Sequence, residues 1–422
     1  MGVFEDWRWR GLVHNFTDPV VPHKLDATSR DPAAALTAYI GFDPTADSLH
    51  IGHLLQLCNL RRMQEAGHRV IALAGGATGM IGDPGGKSEE RNLLSPDELA
   101  ANLTGLRAQL EGFLPGAVFE DNGQWLSQVS VLDFLRDVGK HFTVNQMVAK
   151  ESVKARFEGR DHGISYTEFS YMLLQAADFL HLHDTYGCNL QLGASDQWGN
   201  IVMGIDLIRK VRRVTVYGLT TPLVLKADGT KFGKSASGAV WLDRRRTSPY
   251  SLYQFLVRSD DGVVGSYLRF FTWLERARVE ELDAATAEHP ERREAQKALA
   301  WEVTALVHGR DEADSAAHAS SVLFSEEIAG LDQATLVEVF AEAPSTTLGR
   351  QPAGLIDILV STGLAKSRSD ARRHVEAGAV YLNNKRVIDA DARVDPSTDS
   401  LHGRYVVVRR GKASQHLLRF EA

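Results

Sequence analysis

The segment of residues 37–74 constrains the fold more than any other part of the chain. Residues 37–42 form a short apolar run that ends at the turn pair Asp43-Pro44, and residues 70–74 form a second apolar run. Between the two runs, apolar residues repeat with helical spacing from residue 50 until Gly67 ends the pattern. A strand, a helix and a strand within about 40 residues predict a parallel crossover unit, and hence an α/β fold. Ligands of such sheets bind beyond the carboxyl ends of the strands.

The rest of the chain divides by composition and pattern. A length of 422 residues predicts two or three domains. We expect five segments, which are an α/β domain over residues 1–225, a polar loop region over 226–247, a helical domain over 248–340, a linker over 341–351 and a small α+β domain over 352–422.

Several classes of protein are excluded by simple features. No apolar stretch approaches the ~18 residues of a membrane span, and the first residues contain acids rather than the basic and then apolar order of a secretory signal. The two cysteines, Cys58 and Cys188, are far apart in apolar surroundings, which excludes a disulfide framework and favours the cytoplasm.

The charge is unevenly distributed. The net charge is −7, but residues 352–422 contain 12 Lys and Arg against 8 Asp and Glu, while the remainder contains 35 against 46. A basic terminal domain on an acidic body suggests a polyanionic partner, although ordinary surface scatter would explain the charge alone equally well.

The first chemical motif opens the predicted helix. His50 and His53 are three residues apart, which places both rings on one face of the first helical turn. Helix N-termini favour anions, and Gly52 would let a ligand approach the backbone. Taken alone, the two histidines are explained better as a metal half-site or as surface residues.

A second motif lies about 180 residues later, in the polar loop region. Lys231 and Lys234 flank Phe232 and Gly233 and are followed by Ser235, a pattern suited to a mobile clamp on phosphates. A solvated basic loop is the simpler explanation of this motif by itself. The joint occurrence of both motifs, in this order at loop ends of one sheet, is what indicates a nucleotide-activating enzyme.

The two motifs resemble the HIGH and KMSKS signatures of class I aminoacyl-tRNA synthetases, and the detail resembles the bacterial tyrosyl-tRNA synthetases. The likeness covers nearly the whole chain. The segments that carry it are Tyr39-Ile40-Gly41-Phe42-Asp43-Pro44-Thr45, Gly79-Met80-Ile81-Gly82-Asp83-Pro84, Tyr171 to Asp178, and Ser195-Asp196-Gln197-Trp198-Gly199-Asn200.

The amino-acid pocket has its own physical signal. On a helix, Tyr171, Gln175 and Asp178 fall within about 60° of one another while apolar residues cover the other sides, which favours a polar pocket over solvent. The resemblance implies that Tyr39 and Asp178 bind the phenolic hydroxyl of tyrosine, that Asp83, Tyr171 and Gln175 hold its ammonium group, and that Gln197 lies beside its carboxylate. Phenylalanine would be rejected because it leaves buried polar groups without a partner.

The resemblance also implies the chemistry. Tyrosine's carboxylate would attack the α-phosphorus of ATP, and tyrosine would then move to the terminal ribose of tRNA(Tyr). The implied catalytic residues are His50, His53, Thr45, Lys87, Arg91, Lys231, Lys234 and Ser235. The implied ATP-binding residues are Gly41, Asp43, His50, Gly52, His53, Asp196 and Lys234. Mg²⁺ is expected to arrive with ATP, with no dedicated protein site for a metal and no protein-bound cofactor.

The resemblance further implies a Rossmann-like parallel-sheet catalytic domain, an all-helical domain on the anticodon side and a small α+β RNA-binding domain of the S4-like kind, in a homodimer. Five basic residues of the last domain are candidates for RNA contact. They are Arg368, Arg372, Arg373, Lys385 and Arg386. Contact with the shape and backbone of RNA is the expected mode.

Other interpretations stay open at this point. A tryptophanyl-type synthetase shares both signatures, a synthetase-derived RNA-binding or splicing protein could share the scaffold, and a small adenylyltransferase could share the first motif. The sequence also departs from the family at Ile40, at Ala194 and in the Phe232-Gly233 pair, without loss of a charged group that the mechanism needs.

Overall fold

A computed structural model describes residues 2–28, 31–84, 94–150, 153–154, 163–235, 238–322, 326–341, 343–411 and 414–421. The contacts divide the chain into two compact units. The first comprises Met1–Thr247 and Ser259–Ala295, and the second comprises Ser248–Arg258 and Gln296–Ala422.

A six-stranded sheet organises the first unit. In chain order its strands are β1 (Asn15–Phe16), β2 (Thr37–Phe42), β3 (Arg69–Ala74), β4 (Val118–Asp121), β5 (Leu190–Ala194) and β6 (Tyr217–Thr221). Their order across the sheet is β1-β6-β5-β2-β3-β4, and all neighbours are parallel except β1 and β6. The order reverses between β2 and β5, and this switch point is where open α/β sheets bind ligands.

Helices cover this sheet. Those of the first unit are α1 (Val3–Arg10), α2 (Val21–Ala27), α3 (Ile51–Glu65), α4 (Thr78–Ile81), α5 (Pro96–Phe113), α6 (Gly123–Leu126), α7 (Val131–Asp137), α8 (Val144–Val148), α9 (Tyr166–Tyr186), α10 (Trp198–Arg212), α12 (Asp261–Phe271) and α13 (Arg276–Glu288). A short hairpin of β7 (Lys234–Ser235) and β8 (Gly238–Ala239) completes this unit.

The predicted strand–helix–strand unit is present as β2, α3 and β3. The two strands read as near-continuous buried runs because both faces of a parallel sheet are covered. Helix α9 packs closely on α10, and its apolar residues Phe179 and Leu182 join Tyr39, Ile71 and Leu73 in one core cluster.

Two buried arginines fix the end of α12 within the first unit. The Arg62 guanidinium donates to the carbonyls of Phe270 and Thr272, and Arg10 donates to Thr272 and Leu274. The bond to Phe270 satisfies an orphan carbonyl of the last helical turn, and the others hold the segment that directly follows the helix. They also explain why α12 and α13 belong to the first unit, although the sequence pattern places them in a separate helical domain.

The second unit combines helices with a small α+β module. Its helices are α11 (Pro249–Val257), α14 (Glu294–His308, which begins at the border of the units), α15 (Arg310–Val322), α16 (Gln333–Val339), α17 (Leu355–Ser361), α18 (Arg368–Glu376) and α19 (Pro396–Asp399). Its strands are β9 (Ser345–Leu348), β10 (Ala353–Gly354), β11 (Val380–Leu382), β12 (Lys385–Val387), β13 (Arg393–Val394), β14 (Tyr405–Arg410) and β15 (Ser414–Phe420). Five strands form a sheet in the order β12-β11-β14-β15-β9.

The predicted linker contains one of these strands. Residues 345–348 form β9, which pairs in parallel with β15 at the end of the chain. The polar composition of residues 341–351 concealed this strand because its pairing partner lies some 70 residues away.

Across the described ranges, no helix is both long enough and apolar enough to span a bilayer.

Candidate active site

The carboxyl edge of the six-stranded sheet gathers most of the predicted site residues. Asp43 follows β2, the segment 75–84 follows β3, Asn122 follows β4 and the turn Ser195–Gln197 follows β5. Because the carboxyl ends of parallel strands share one edge, residues distant in sequence meet there.

The innermost part of the site contains Tyr39 and Asp178. Tyr39, on β2, is 1% exposed, and its hydroxyl has no hydrogen-bond partner. Its ring packs on the ring of Phe179, the residue that follows Asp178, and the two ring centroids are 5.2 Å apart. Burial and the nearby charge of Asp178 raise the pKa of Tyr39 well above its usual value, so this residue is a neutral phenol.

Two donors hold the Asp178 carboxylate. Trp125 Nε1 donates to Oδ1 at 2.9 Å and Asn122 Nδ2 donates to Oδ2 at 2.8 Å. Asp178 is buried, and burial raises its pKa to about 7 although both hydrogen bonds act in the opposite direction. A carboxylate with one donor on each oxygen retains lone pairs for a further hydroxyl donor.

A second hydrogen-bonded group surrounds Asp43. Tyr171, on α9, donates from its hydroxyl to Asp43 Oδ2 at 2.9 Å, and Thr78 donates to Oδ1 at 2.8 Å. Asn122 reaches Thr78 Oγ1 at 3.0 Å and so links this group to Asp178. Asp43 was predicted on the ATP side, and the structure places it in direct contact with a residue predicted to bind tyrosine.

The remaining predicted tyrosine-binding residues form a third group. Gln197 donates from Nε2 to Asp83 Oδ2 at 2.6 Å and accepts from Gln175 Nε2 at 3.3 Å. Asn200, on α10, donates to Gln175 Oε1 at 2.9 Å. The structure therefore brings Asp83, Gln175 and Gln197 together near the buried Tyr171, and we call the part of the sheet's carboxyl edge that these four residues border the cleft.

The first signature forms the N-terminus of α3. His50 is the N-cap residue, and its Nδ1 accepts from the backbone of Gly52 at 3.1 Å, while His53 Nδ1 accepts from the backbone of His50 at 3.3 Å. The rings are stacked, with centroids 3.9 Å apart. Because Nδ1 accepts in both rings, each neutral imidazole has its proton on Nε2 and can donate to an anionic oxygen.

The second signature lies directly against the first. Ile51 donates its backbone N–H to Val240 at 2.8 Å, and Leu242 donates to Leu49 at 2.8 Å. The aromatic ring of Phe232, within the signature, packs on Tyr267 and Phe271 of α12, with centroids 4.6 and 5.6 Å apart. The polar loop therefore hydrogen-bonds to the start of α3 through Val240 and Leu242, and it packs on α12 through Phe232.

One charged residue of this loop lies beside the turn that follows β5. Lys231 Nζ lies 3.6 Å from Asp196 Oδ2, so a predicted catalytic residue and a predicted ATP-binding residue are within ion-pair distance. For Lys234 and Ser235 the structure describes the backbone, which forms β7. Lys87 and Arg91 lie outside the described residues.

Two further predicted residues border open space. Gly41 is exposed at the end of β2, and a Cβ built there would meet no atom within 4 Å. Thr45 is exposed, and its backbone N–H donates to the Asp43 carbonyl at 2.9 Å. Both positions leave room for a ligand at the mouth of the cleft.

The predicted RNA-binding residues lie in the C-terminal module of the second unit. Arg368 and Arg373 form ion pairs with Asp357 and Asp370, and Arg372 lies 3.1 Å from Asp391. These guanidiniums remain more than half exposed.

Lys385 and Arg386 differ from each other. Lys385 is exposed on β12. Arg386 donates to the carbonyls of Gly378 at 2.7 Å and Ala377 at 3.3 Å, and these carbonyls follow the end of α18. The contacts of Arg386 therefore stabilise a helix end, a role that the sequence pattern did not indicate.

Several residues of the site were missed by sequence reasoning. Asn122, Trp125, Thr78 and Asn200 all bond to predicted site residues. Sequence reasoning also missed Gln191. It is paired in register with Tyr39 on the neighbouring strand, and its buried Oε1 has no hydrogen-bond partner. The usable signal was position, because Asn122 directly follows a strand. Among the described residues no group of three or more His, Cys, Asp or Glu side chains is arranged as a metal site.

Comparisons with known proteins identify the family of the chain. Residues 31–325 match the family model of class I tRNA synthetases (W and Y), and residues 335–418 match the C-terminal domain of the tyrosine–tRNA ligase SYY-like kind. The chain is 51% identical over 99% of its length to the tyrosine–tRNA ligase of Roseiflexus castenholzii, with 99% of that protein covered, and 48% identical to that of Geobacillus kaustophilus over the full length of both.

A solved structure supports the same assignment. The truncated mitochondrial tyrosyl-tRNA synthetase of Aspergillus nidulans superimposes with a TM-score of 0.67 at 32% identity, covering 76% of this chain and 94% of that one. The chain therefore belongs to the tyrosine–tRNA ligases, within the class I aminoacyl-tRNA synthetases.

Proposed function

We propose that the described cleft carries out the two steps of the family's reaction with the residues named below. The ligase uses ATP to convert L-tyrosine to tyrosyl-adenylate and pyrophosphate, and it then transfers tyrosine to the 3'-terminal ribose of tRNA(Tyr). The observation that carries the residue assignment is the buried pair of Tyr39, whose hydroxyl has no partner, and Asp178, whose carboxylate is held by Asn122 and Trp125.

The phenolic hydroxyl of the substrate binds at this pair. It donates to Asp178 and accepts from Tyr39, so the unpartnered hydroxyl of Tyr39 gains its bond only when tyrosine is bound. Phenylalanine offers neither interaction, and the site rejects it because both buried groups would stay unsatisfied.

The amino-acid backbone of the substrate binds nearer the mouth. The ammonium group lies among Asp83, Tyr171 and Gln175, where the hydrogen-bonded carboxylate and amide oxygens favour a cation. The carboxylate lies beside Gln197 and attacks the α-phosphorus of ATP. Asp43, through its bond to Tyr171, holds the ammonium side of the cleft in place rather than acting on ATP alone.

The nucleotide lies over the N-terminus of α3. His50 and His53 donate from Nε2 to phosphate oxygens, and Thr45 lies on the γ-phosphate side. Gly41 and Gly52 leave space for the nucleotide, and Asp196 binds its ribose. Catalysis is positioning plus stabilisation of charge on the phosphates, because the cleft presents oriented donors rather than a covalent nucleophile.

The lysine-rich loop completes the site around pyrophosphate. Lys231 exchanges its contact with Asp196 for the phosphates when ATP binds. Lys234, Ser235, Lys87 and Arg91 join it, an assignment that depends on the sequence motif. Mg²⁺ enters as the companion of ATP, and the protein itself holds no resident cofactor.

The C-terminal module binds tRNA(Tyr) through its basic residues. Arg368, Arg372, Arg373 and Lys385 are exposed enough to bind phosphates, and Arg386 is the fifth proposed contact, although its present bonds hold the end of α18. We propose that residues 1–225 and 226–247 contain the catalytic residues and that residues 352–422 contact RNA. Of the other predicted segments, 248–340 is divided between the two units and 341–351 contains β9. We propose the cytoplasm as the compartment that supplies ATP and tRNA.

The protein acts as a homodimer. Val131 and Leu132 on α7 are 74% and 78% exposed, and Val129, Leu135 and Val144 add to the same stretch of exposed apolar side chains. A cluster of exposed large apolar residues within so short a stretch is typical of a surface covered by another protein chain.

The test is ATP–pyrophosphate exchange with tyrosine, phenylalanine and tryptophan offered separately and without tRNA. We expect exchange with tyrosine and at least about 1000-fold weaker kcat/KM with the other two. Exchange driven by tryptophan would contradict the pocket assignment and favour a tryptophanyl-type enzyme. No exchange at all would favour an RNA-binding protein built on this scaffold.

A further inference from the structure

The imidazole of His181 lies flat against the indole of Trp125. The ring centroids are 4.0 Å apart and the planes differ by 14°. His181 belongs to α9 and follows Asp178 by three residues, so both side chains lie on the same side of that helix. Trp125 belongs to α6, a helix of only four residues. The stack therefore joins a short helix to the long helix that carries the pocket residues.

The far edge of the same indole bonds to the pocket carboxylate. Trp125 Nε1 donates to Asp178 Oδ1 at 2.9 Å. The direction of an indole N–H is fixed by the plane of its ring, and a rotation of the ring would remove the N–H from the carboxylate. The indole packs on the core cluster that contains Tyr39 and Phe179, and His181 covers one of its faces by stacking. Because α6 has only four residues, the orientation of the ring depends on these contacts.

The chemical state of His181 suits such a stack. Burial lowers the pKa of its ring below the usual value, although the charges of Glu120 and Asp184 act in the opposite direction. At neutral pH the imidazole is therefore mainly uncharged and packs as a flat aromatic ring. Its Nε2 lies 3.5 Å from Thr185 Oγ1, which is at the limit of a hydrogen bond, so ring stacking is the main contact.

We propose that His181 is a positioning residue for tyrosine recognition, which acts by holding the Trp125 indole so that its N–H stays on Asp178. Without the stack, the indole would sample other orientations and the carboxylate would lose one of its two donors. The inference rests on the proposed function, in which Asp178 binds the phenolic hydroxyl.

The test compares His181→Ala with His181→Phe in ATP–pyrophosphate exchange. The alanine variant removes the stack, and we expect a rise of about three- to tenfold in the tyrosine KM. The preference for tyrosine over phenylalanine falls by a similar factor, while kcat and the KM for ATP stay within twofold. His181→Phe keeps a flat ring on the indole, so we expect it to restore the tyrosine KM and the preference.

Thr185→Ala serves as the matched control on the same helix. It removes the hydroxyl near Nε2 and leaves the stack, so we expect values like those of the unchanged protein. A loss in Thr185→Ala equal to that in His181→Ala would overturn the proposal, as would an unchanged tyrosine KM in a folded His181→Ala protein. Failure of His181→Phe to restore the KM would overturn it too.

A double-mutant cycle separates this proposal from the function on which it rests. If His181 acts through Trp125, His181→Ala adds less than twofold to the effect of Trp125→Phe, whereas fully additive effects would overturn the proposal. Asp178→Asn is measured in parallel. Undiminished preference for tyrosine in Asp178→Asn would refute the hydroxyl-binding role itself, while lost preference there with no effect in His181→Ala would refute only the role of His181.

Discussion

Gly233, in the lysine-rich loop, lies directly against Gly52, in the first turn of α3. A Cβ added at Gly233 would stand 3.2 Å from the backbone nitrogen of Gly52 and 3.2 Å from Ile51 Cγ2. Gly233 also has a φ of +105°, a region that L side chains rarely adopt. The two signatures therefore meet through two residues without side chains, and this close approach brings the loop over the helix N-terminus.

Gly233→Ala should lower kcat for ATP–pyrophosphate exchange by about tenfold, because the methyl group would force the loop off the helix end and strain the backbone. The tyrosine KM should stay within twofold, since the amino-acid pocket is not touched. Gly229→Ala is the matched control, because Gly229 also has a positive φ (+79°) but its Cβ would meet no atom within 4 Å. Equal losses in both variants would mean that strain alone, rather than the contact with Gly52, causes the effect.

His50→Asn should separate helix capping from catalysis. Asparagine is among the best N-cap residues and can accept from Gly52 as Nδ1 does, so the free energy of unfolding should be unchanged or higher. It lacks the Nε2 donor, and kcat for exchange should fall by about 100-fold. Chemical denaturation and exchange kinetics measure the two effects. An active variant would show that His50 serves the helix and not the phosphates.

Tyr39→Phe should change stability and specificity in opposite directions. The buried hydroxyl has no partner in the free protein, so its removal should raise the free energy of unfolding by about 1 kcal/mol. The kcat/KM preference for tyrosine over phenylalanine should fall by about tenfold, because one bond to the substrate hydroxyl is lost. A variant that is less stable than the unchanged protein would mean that the hydroxyl already has a partner before tyrosine binds.

Asp178→Asn should remove a pH dependence of stability. The pKa of Asp178 is about 7 in the folded protein, above its value in an unfolded chain, so the folded state binds the proton more tightly. The contribution of this group is therefore fully present below about pH 4 and is lost as the pH rises towards and through about 7. The asparagine variant lacks the titration.

Urea denaturation of both proteins at pH 5.5 and pH 8 checks this sign. Stability of the unchanged protein relative to Asp178→Asn should be greater at pH 5.5 than at pH 8. A greater relative stability at pH 8 than at pH 5.5 would mean that the pKa of Asp178 lies below its ordinary value. Folding would then favour the carboxylate form of Asp178 over the acid.

Leu132→Asp should produce monomers if α7 is covered in a homodimer. Introducing a charge into a desolvated apolar contact costs several kcal/mol unless the charge is paired, and sedimentation velocity measures the result. Ile388→Asp is the control, since Ile388 is also strongly exposed but belongs to the C-terminal module. A Leu132→Asp protein with unchanged sedimentation would mean that α7 faces solvent in the dimer or that no dimer forms.

Sequence reasoning succeeded where a local pattern determines the position of a residue. The polar stripe of Tyr171, Gln175 and Asp178 could be read from helical spacing because α9 is regular from residue 166 to 186, and each of the three side chains hydrogen-bonds to a residue outside that helix. The crossover unit around α3 could be read in the same way, since its strands are short apolar runs.

The residues that hold this stripe in place could not be predicted from local pattern. Asn122 and Trp125 contact Asp178 from more than 50 residues away in the chain. The strand before them, β4, is partly buried at every position, and its sequence shows neither alternating apolar and polar residues nor a continuous apolar run. Strand β9 was hidden for a similar reason, because its partner β15 comes at the end of the chain.

The two donors on Asp178 also determine how this pocket could be redesigned for an unnatural amino acid. A phenylalanine with a bulky para substituent needs the space and the neutral surface that a small apolar residue at position 178 would provide. That single exchange would leave the N–H groups of Asn122 and Trp125 facing an apolar cavity, each without its acceptor. Expanded substrate range therefore requires the three positions to be changed together, so that a library varying all of them should contain active variants that successive single replacements would miss.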